Sequence, residues 1–498
     1  MLRSPLPDLD PTADAPLATQ IAAFYAAAIR EGRLRAGDRL PPIRVAARGC
    51  AVARATVQDA YHRLAEDGLV EATVGRGTTV CGAVGPVSPR GDTDGAPLSP
   101  YALAALQRMQ TMPGALPLPP GRELVADFAE LAPDGDRFPV DEWRAAMDAV
   151  LARRGGDVLG YGFAPNGLPA LRECIAGRMR DIDANATAAD VLITAGAQQA
   201  LDLVLRTLCA PGDTVLVTDP SYHQMHGLLR AHGLVPAPIP FGPDGLDLDA
   251  LRRLLQRDGV RLLYLMPTFQ NPTGRSLDLE QRHALMEVLA ATPVPVVEDE
   301  YQHSLRFAGA PLPSLRSLDP RRRTVTVATF SKELFPALRI GWLHADRDLL
   351  AAMAAVKRFM DLETSPLLQA ALVEFLRQGS LDRHLGELRA TLRERHAALR
   401  AACRRHLPPG CTWTEPDGGF VAWLELPAAG LGDRLAELAV ARGVRVVPGR
   451  VFDLHGRPSR GVRLCLARTA PDRIEAGVLT LAACARELLQ RDAARPFL

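Results

Sequence analysis

Lysine is almost missing from this chain. Of its 58 lysine and arginine residues, two are lysines, Lys332 and Lys357, so 56 are arginines. A guanidinium keeps its proton in a protein and cannot act as an amine nucleophile. A chain that uses arginine wherever charge suffices, yet keeps Lys332, points to amine chemistry there, above all a Schiff base with a carbonyl compound. Other scarcities narrow the field. The eight cysteines (Cys50, Cys81, Cys174, Cys209, Cys403, Cys411, Cys465, Cys484) are scattered with no CxxC pair. That argues against a disulfide framework or a zinc site and fits reduced cytosol, so no metal is expected and the location is read as cytoplasmic. No apolar run reaches membrane-spanning length, and MLRSPLPDLD at the N-terminus lacks the apolar segment of a signal peptide. The net charge is only +1, so any affinity for nucleic acid has to come from a local patch.

At 498 residues, 47% hydrophobic and 23% charged, the chain reads as globular and too long for one ordinary domain. Three regions are expected: 14–82, 83–122 and 123–498. In the first, Leu17 to Gly32 has Leu17, Ile21, Phe24, Ala28 and Ile29 on one helical face. Two short helical stretches follow, Ile43 to Arg48 and Arg54 to Asp67, then LVEATVGRGTTV, two strand-like runs around Gly75-Arg76-Gly77. This order makes a winged helix-turn-helix. Residues 17–81 hold nine arginines against six acidic residues, a modest local excess. Placement says more than the count. Arg44 opens one helix, Arg54 and Thr56 open the next, and Arg76 sits at the wing tip, where phosphates and base edges are reached when the second helix enters a major groove. The plainer alternative is a small helical module with a solvated charged face.

Region 83–122 contains GPVSPRGDTDGAPLSP and MPGALPLPPG. Its apolar periodicity is weak except across Tyr101 to Met109, which can form one short helix, so the region reads as a semi-extended tether; a partly ordered arm packed on the larger domain is the alternative. From Leu124 onward, strand signals (VLIT, TVLVT, LVPAPIP, RLLYLMP, PVPVVED, TVTVATF, RIGWLH) alternate with helices such as Gln198 to Cys209 and Leu279 to Ala291. The pattern predicts a mostly parallel sheet covered by helices, with ligands beyond the carboxyl ends of its strands.

The chemistry-bearing residues fall at those ends. Gly196, Ala197 and Gln198 lie between a strand and a helix, a natural seat for phosphate. Tyr222 follows the next strand and can stack on a flat ring or pack in the core. Asn271 in QNPTG can donate to a ring oxygen, and Asp299 in VVEDEYQ, with Tyr301 two residues on, can hold a pyridine nitrogen protonated or merely cap a helix. The segment TFSKELFPALRIG closes the series: a β-branched strand, the hydroxyls of Thr329 and Ser331, the amine of Lys332 and the guanidinium of Arg339. Together they look like a site for a phosphorylated aldehyde.

This segment closely resembles the lysine segment of pyridoxal-phosphate enzymes of the aminotransferase class I fold, and the resemblance extends from about Leu124 onward. It implies a Schiff base at Lys332, Asp299 paired with the pyridine nitrogen, and Asn271 and Tyr301 on the phenolic oxygen. It also implies a phosphate site from Gly196, Ala197, Gln198, Thr329, Ser331 and Arg339. YGFAPNGLPALRECIA resembles the family segment whose tyrosine reaches the neighbouring subunit's phosphate, which selects Tyr161. GVRLCLAR resembles the strand that carries the arginine for a substrate carboxylate, which selects Arg463.

The N-terminal module strongly resembles the GntR family of bacterial repressors through Gly32, Leu34, Gly37, Leu40-Pro41, Arg44, Ala47, Val52, Arg54, Thr56-Val57, Ala60-Tyr61, Leu64, Gly68 and Gly75-Arg76-Gly77. It departs at Pro42 and Ala53, where the family usually has serine, and at Ala46, where it usually has leucine. A GntR-like head on an aminotransferase-like body is the arrangement of the MocR subfamily, which HLGELRATLRERHAAL also resembles. The resemblance implies a homodimeric regulator that binds a double-stranded DNA operator, carries pyridoxal phosphate and senses an amino compound or the cofactor itself. The rival is a working aminotransferase with an accessory DNA-binding domain, and weak transamination stays open.

Overall fold

The computed structural model describes residues 6–7, 9–10, 16–30, 34, 38–66, 70–73, 77–80, 98–111, 116–119, 121–162 and 164–493. The chain divides into two units, Met1–Leu98 and Ser99–Leu498.

In the first unit, α1 (Leu17–Arg30), α2 (Ile43–Gly49) and α3 (Arg54–Glu66) precede an antiparallel hairpin of β1 (Val70–Thr73) and β2 (Gly77–Val80), in which Val70 faces Val80. Ile21, Tyr25 and Ala28 on α1 meet Val57, Ala60 and Leu64 on α3, all fully buried. Both sets repeat at three and four residues, as one face of a helix requires. The sequence pattern puts Leu17 and Phe24 on this face. In the structure both are only partly buried, because the contact stripe is rotated toward Ala18, Tyr25 and Ala26. The Tyr25 ring meets Tyr61 edge-on at 5.9 Å, and the Tyr61 hydroxyl donates to the Pro41 carbonyl at 2.8 Å. Backbone bonds from Leu40 to Thr78 (2.9 Å) and from Val80 to Asp38 (2.8 Å) tie the hairpin to the segment ahead of α2.

The second unit opens with α4 (Pro100–Thr111), inside the stretch read as a tether. The ring of Tyr101 stands edge-on to His232 at 5.5 Å and lies 5.9 Å from the Arg206 guanidinium. In chain order there follow β3 (Ala126–Asp127), α5 (Val140–Arg154), α6 (Pro169–Met179), β4 (Val191–Thr194), α7 (Ala197–Leu208), β5 (Thr214–Asp219), α8 (His223–Ala231), β6 (Val235–Gly242), β7 (Gly245–Leu246) and α9 (Leu248–Leu255). Then come β8 (Val260–Leu265), α10 (Leu279–Ala290), β9 (Val296–Asp299), β10 (Thr324–Thr329), β11 (Gly341–His344), α11 (Arg347–Asp361), α12 (Pro366–Arg377) and α13 (Ser380–His406). The unit ends with β12 (Thr412–Trp413), β13 (Val421–Glu425), α14 (Leu431–Ala441), β14 (Val444–Arg445), β15 (Val447–Pro448), β16 (Gly461–Cys465) and α15 (Pro471–Ala493).

The main sheet runs β4-β11-β10-β9-β8-β5-β6-β7. From β10 through β6 the strands are parallel, and β11 is antiparallel to both of its neighbours. Every residue of β10, TVTVAT, is buried, as expected of a β-branched strand covered on both faces. Helices pack on it through apolar stripes, α7 burying Ala200, Leu201, Leu203, Val204 and Leu205. The mostly parallel α/β body thus has the predicted architecture, with a smaller antiparallel sheet, β12-β13-β16-β15, beyond α13. The carboxyl ends of β5, β8, β9 and β10 open on one edge of the main sheet, and this edge holds the site.

Candidate functional site

Strand β10 ends at Thr329, and the chain turns so that Lys332 faces inward. Its Nζ donates to the Leu131 carbonyl at 2.6 Å. Burial, reinforced by Arg463 and Arg339 and opposed by Cys465, lowers the ammonium to about 8; taking a charge out of water favours the neutral amine. The Thr329 hydroxyl lies 3.0 Å from that of Ser331 and 3.2 Å from the Ile340 carbonyl. Arg339 sits in the left-handed region at φ +52°, and its Nη2 donates to the Ala195 carbonyl at 2.9 Å. Gly196, at φ +98°, precedes α7; a Cβ there would come within 2.8 Å of Arg339 Nη2. Only glycine suits both the backbone angle and the close approach. The first turn of α7 directs N–H groups without intrahelical partners toward the same place.

Asp299 closes β9. The Tyr264 hydroxyl donates to its Oδ2 at 2.9 Å, whereas its Oδ1 is buried with no protein partner. Burial pushes this carboxyl up to about 7, opposed by the Tyr264 hydrogen bond. A buried acid with one oxygen unsatisfied is set for a donor that the chain does not supply. The Tyr301 hydroxyl donates to the Phe269 carbonyl at 3.2 Å. Tyr222, just ahead of α8, has its phenol pushed upward by burial and by the nearby Asp299. Arg463 on β16 is buried; Nη1 donates to Asn271 Oδ1 at 3.2 Å, Nη2 to the Ala129 carbonyl at 2.7 Å, and the Phe452 ring lies 5.1 Å from the guanidinium.

These groups line one cavity of about 410 Å³. Of the residues singled out in the sequence of the body, Ala197, Gln198, Tyr222, Asn271, Asp299, Tyr301, Thr329, Ser331, Lys332, Arg339 and Arg463 face it. Gly196 stands behind it against Arg339. Tyr161 does not reach it: the side chain is 68% exposed, beside Asp361 and Glu363 on a separate part of the surface. In the head, Arg44 and Arg54 are exposed and Thr56 is partly buried at the starts of α2 and α3; Arg76 lies outside the described residues. Sequence reading missed Tyr264, Leu131 and Ala129. Tyr264 reads as one more core residue of its strand; the structure pairs it with Val297, two residues before Asp299. The two carbonyls had no signal. Among the described residues, no cluster of three His, Cys, Asp or Glu side chains could hold a metal ion, and no helix is long and apolar enough to cross a membrane.

An amine held near neutrality, a carboxyl awaiting a donor, a flanking aromatic ring and a helix N-terminus beside a guanidinium together fit a flat, phosphorylated aldehyde with a ring nitrogen. Residues 125–480 match the family Aminotransferase class I and II, and residues 17–80 match Bacterial regulatory proteins, gntR family. The protein named Probable rhizopine catabolism regulatory protein MocR, of Rhizobium meliloti, is 30% identical over 95% of this chain and 94% of its own length. Aromatic-amino-acid aminotransferase 1 of Thermococcus litoralis is 31% identical over 74% of this chain and 89% of its own. Among solved structures, the α-aminoadipate aminotransferase LysN of Thermus thermophilus, complexed with N-(5'-phosphopyridoxyl)-L-leucine, is 33% identical, covers 74% of this chain and 93% of its own, and superposes with a TM-score of 0.68. With both halves matched in one chain, this protein belongs to the aminotransferase class I and II family and, through its gntR-type head, to the MocR group of transcription regulators.

Proposed function

We propose that the protein senses an amino compound, or pyridoxal phosphate itself, in the cavity around Lys332 and thereby controls the binding of its head to a double-stranded DNA operator. The observation that carries this reading is the unsatisfied Oδ1 of Asp299 in the same cavity as the near-neutral amine of Lys332. Pyridoxal phosphate, when bound, supplies an aldehyde that captures amines and a ring that withdraws electrons once its nitrogen is protonated. Lys332 offers the amine that would hold the aldehyde, and its lowered proton affinity leaves about a tenth of it neutral at pH 7, far more than an ordinary lysine keeps. Asp299 would hold a ring N–H⁺ at its open oxygen, with Tyr264 on the other. Tyr222 would lie against the ring, and Asn271 and Tyr301 would hold its phenolic oxygen. Gly196, Ala197 and Gln198, with Thr329, Ser331 and Arg339, receive the phosphate.

Arg463 would orient a ligand carboxylate through a paired fork, and Lys332 would serve as the base for a proton at the ligand's Cα. The working form is a homodimer in which Tyr161 reaches the partner's phosphate site, and its place of action is the cytoplasm. Arg44, Arg54, Thr56 and Arg76 contact DNA. DNA half-sites recur about 34–36 Å apart per helical turn, so a ligand that changes the spacing of two heads changes operator affinity. The shift is limited to the ligand's differential affinity for the two arrangements.

A second reading is favoured by the relatives named aminotransferases and by the presence of a base at Lys332: the body turns over, and the head is accessory. Multiple-turnover amino transfer at about 1–1000 per second would favour it. The regulator reading is tested by loading the purified chain with pyridoxal phosphate, reducing with borohydride and mapping the adduct. Incorporation at Lys332 and not Lys357 is expected, followed by ligand-dependent change in both the visible spectrum and the DNA footprint. No incorporation at Lys332 overturns the cofactor site. A ligand that changes the spectrum and never the footprint overturns the sensing role.

A further inference from the structure

The chain's second lysine, Lys357 on α11, lines no part of the cavity, yet it leads to it. Its side chain is 2% exposed, and Nζ donates to both oxygens of Asp361 at 2.8 and 3.1 Å. Asp361 Oδ2 accepts from Gln199 Nε2 at 2.8 Å. Gln199 Oε1 accepts the backbone N–H of Ala195 at 2.7 Å, and the Ala195 carbonyl accepts from Arg339 at 2.9 Å. A continuous line of contacts thus joins a buried ammonium to the peptide immediately before Gly196.

The chemistry of each link fixes the next. An ionised carboxylate only accepts, so Gln199 must turn its NH₂ toward Asp361 and is left with its oxygen for Ala195. The reversed amide would set oxygen against carboxylate and NH₂ against N–H, two repulsive pairs at once. The Lys357 ammonium takes both oxygens of Asp361, and the acceptor-only carboxylate it holds in place keeps Gln199 in one orientation. Ala195 is then held at both ends, its N–H by Gln199 and its C=O by Arg339. That leaves Gly196 at φ +98° and sets the N–H groups that open α7. A lysine suits the origin of this line: three donors on one compact nitrogen converge on a single carboxylate in an enclosed space, where the planar fork of arginine is wider.

We propose that Lys357, acting through Asp361 and Gln199, is a positioning residue for the phosphate cup at the N-terminus of α7. It touches no ligand. This inference rests on the reading that Gly196, Ala197 and Gln198 receive the cofactor's phosphate. Both lysines of the chain then serve one bound molecule, Lys332 at its aldehyde and Lys357 at a distance from its phosphate.

The test compares pyridoxal 5'-phosphate with pyridoxal, which lacks the phosphate, on the full-length protein, by absorbance titration and by ³¹P chemical shift of the bound phosphate. Lys357→Met and Gln199→Leu are each expected to weaken pyridoxal phosphate by about tenfold, the scale of a lost charged hydrogen bond. They should leave pyridoxal within about twofold and move the ³¹P signal. Asp361→Ala is expected to show the same loss, and Asp361→Glu, which keeps charge and acceptor, a smaller one. Equal weakening of both ligands would mean general damage to the fold and overturns the inference, as does no weakening of either. Should the unmutated protein take pyridoxal phosphate no better than pyridoxal, the phosphate cup itself is refuted. A protein that binds neither refutes the reading of the whole cavity, a distinct outcome.

Discussion

On the head, Arg44, Arg48 and Arg54 stand exposed along α2 and α3; in the body, Arg282, Arg395 and Arg463 are enclosed. Enclosure puts a premium on partners: Arg282 finds one for every nitrogen, whereas Arg395 and Arg463 pair their terminal nitrogens and leave Nε without one. Arg282 gives Nε to the Leu277 carbonyl at 3.0 Å, Nη1 to Pro313 at 2.8 Å, and Nη2 to Pro267 at 3.1 Å and the Thr268 hydroxyl at 2.7 Å. Leaving such a group unpaired would cost several kcal/mol, on the order of 3–5. The exposed arginines carry no such demand, because water and salt satisfy them, and a polyanion needs only to displace counterions. The same residue type therefore works by position in the body and by density in the head. Substitutions should be all-or-none in one and graded in the other.

The largest expected effect is that of Lys332→Ala: borohydride fixes no cofactor, while DNA affinity without ligand is unchanged. Lost DNA binding in that variant would break the separation of roles. Leu64→Ala, at a fully buried position between α1 and α3, should cost the head about 2–5 kcal/mol. Calorimetry of the whole chain should show one transition moving and the cofactor spectrum intact. Asp299→Asn should weaken cofactor binding by about 1.5–3 kcal/mol, the scale of a hydrogen bond to a charged group, measured by spectral titration. An unaltered dissociation constant would show that Asp299 takes no ring proton.

The pH response follows from Lys332. With its ammonium lowered to about 8, the neutral amine fraction, and with it the rate of aldehyde capture, should rise about tenfold between pH 7 and 9. Between about pH 8 and the ordinary lysine value near 10.4 the unfolded chain carries a proton that the folded one has lost, so the cofactor-free body gains stability as pH rises. A flat rate profile would mean that another group limits capture. The smallest effect is expected of Arg54→Ala: a several-fold weaker operator complex, with the slope of log affinity against log salt reduced by about 1. An unchanged slope would remove Arg54 from the phosphate contacts.

Much of the cavity was legible because its side chains stand where a β-branched strand gives way to polar residues, as at Thr329 to Lys332 and at Asp299. Such breaks in pattern are local. The partners of those side chains are not. Lys332 meets a carbonyl 201 positions away at Leu131, and Arg463 meets Ala129 across 334; backbone carbonyls leave no signature in a sequence. Gln199 was passed over for a similar reason, since beside Gln198 it looks like one more polar residue on a helix. Tyr264 was hidden by its strand, where a tyrosine reads as core. In the head, the apolar positions of α1 fit more than one rotation of the helix, and only the packed partner α3 selects Tyr25 over Phe24. The helix Pro100–Thr111 shows the limit of composition: proline and glycine dominate the region around it, but its own few turns carry enough apolar side chains to settle on the body.

The resting contacts of Arg463 set a threshold for any visitor. Its fork already grips Asn271 and the Ala129 carbonyl, so an arriving acid group fills no vacancy; it trades places with two neutral dipoles. Under the proposed function, an anion wins that exchange, whereas a bare amine has nothing to offer it and leaves the fork where it was. One guanidinium with a default grip would thus sort callers by whether they bring a negative charge, before the heads learn of their arrival.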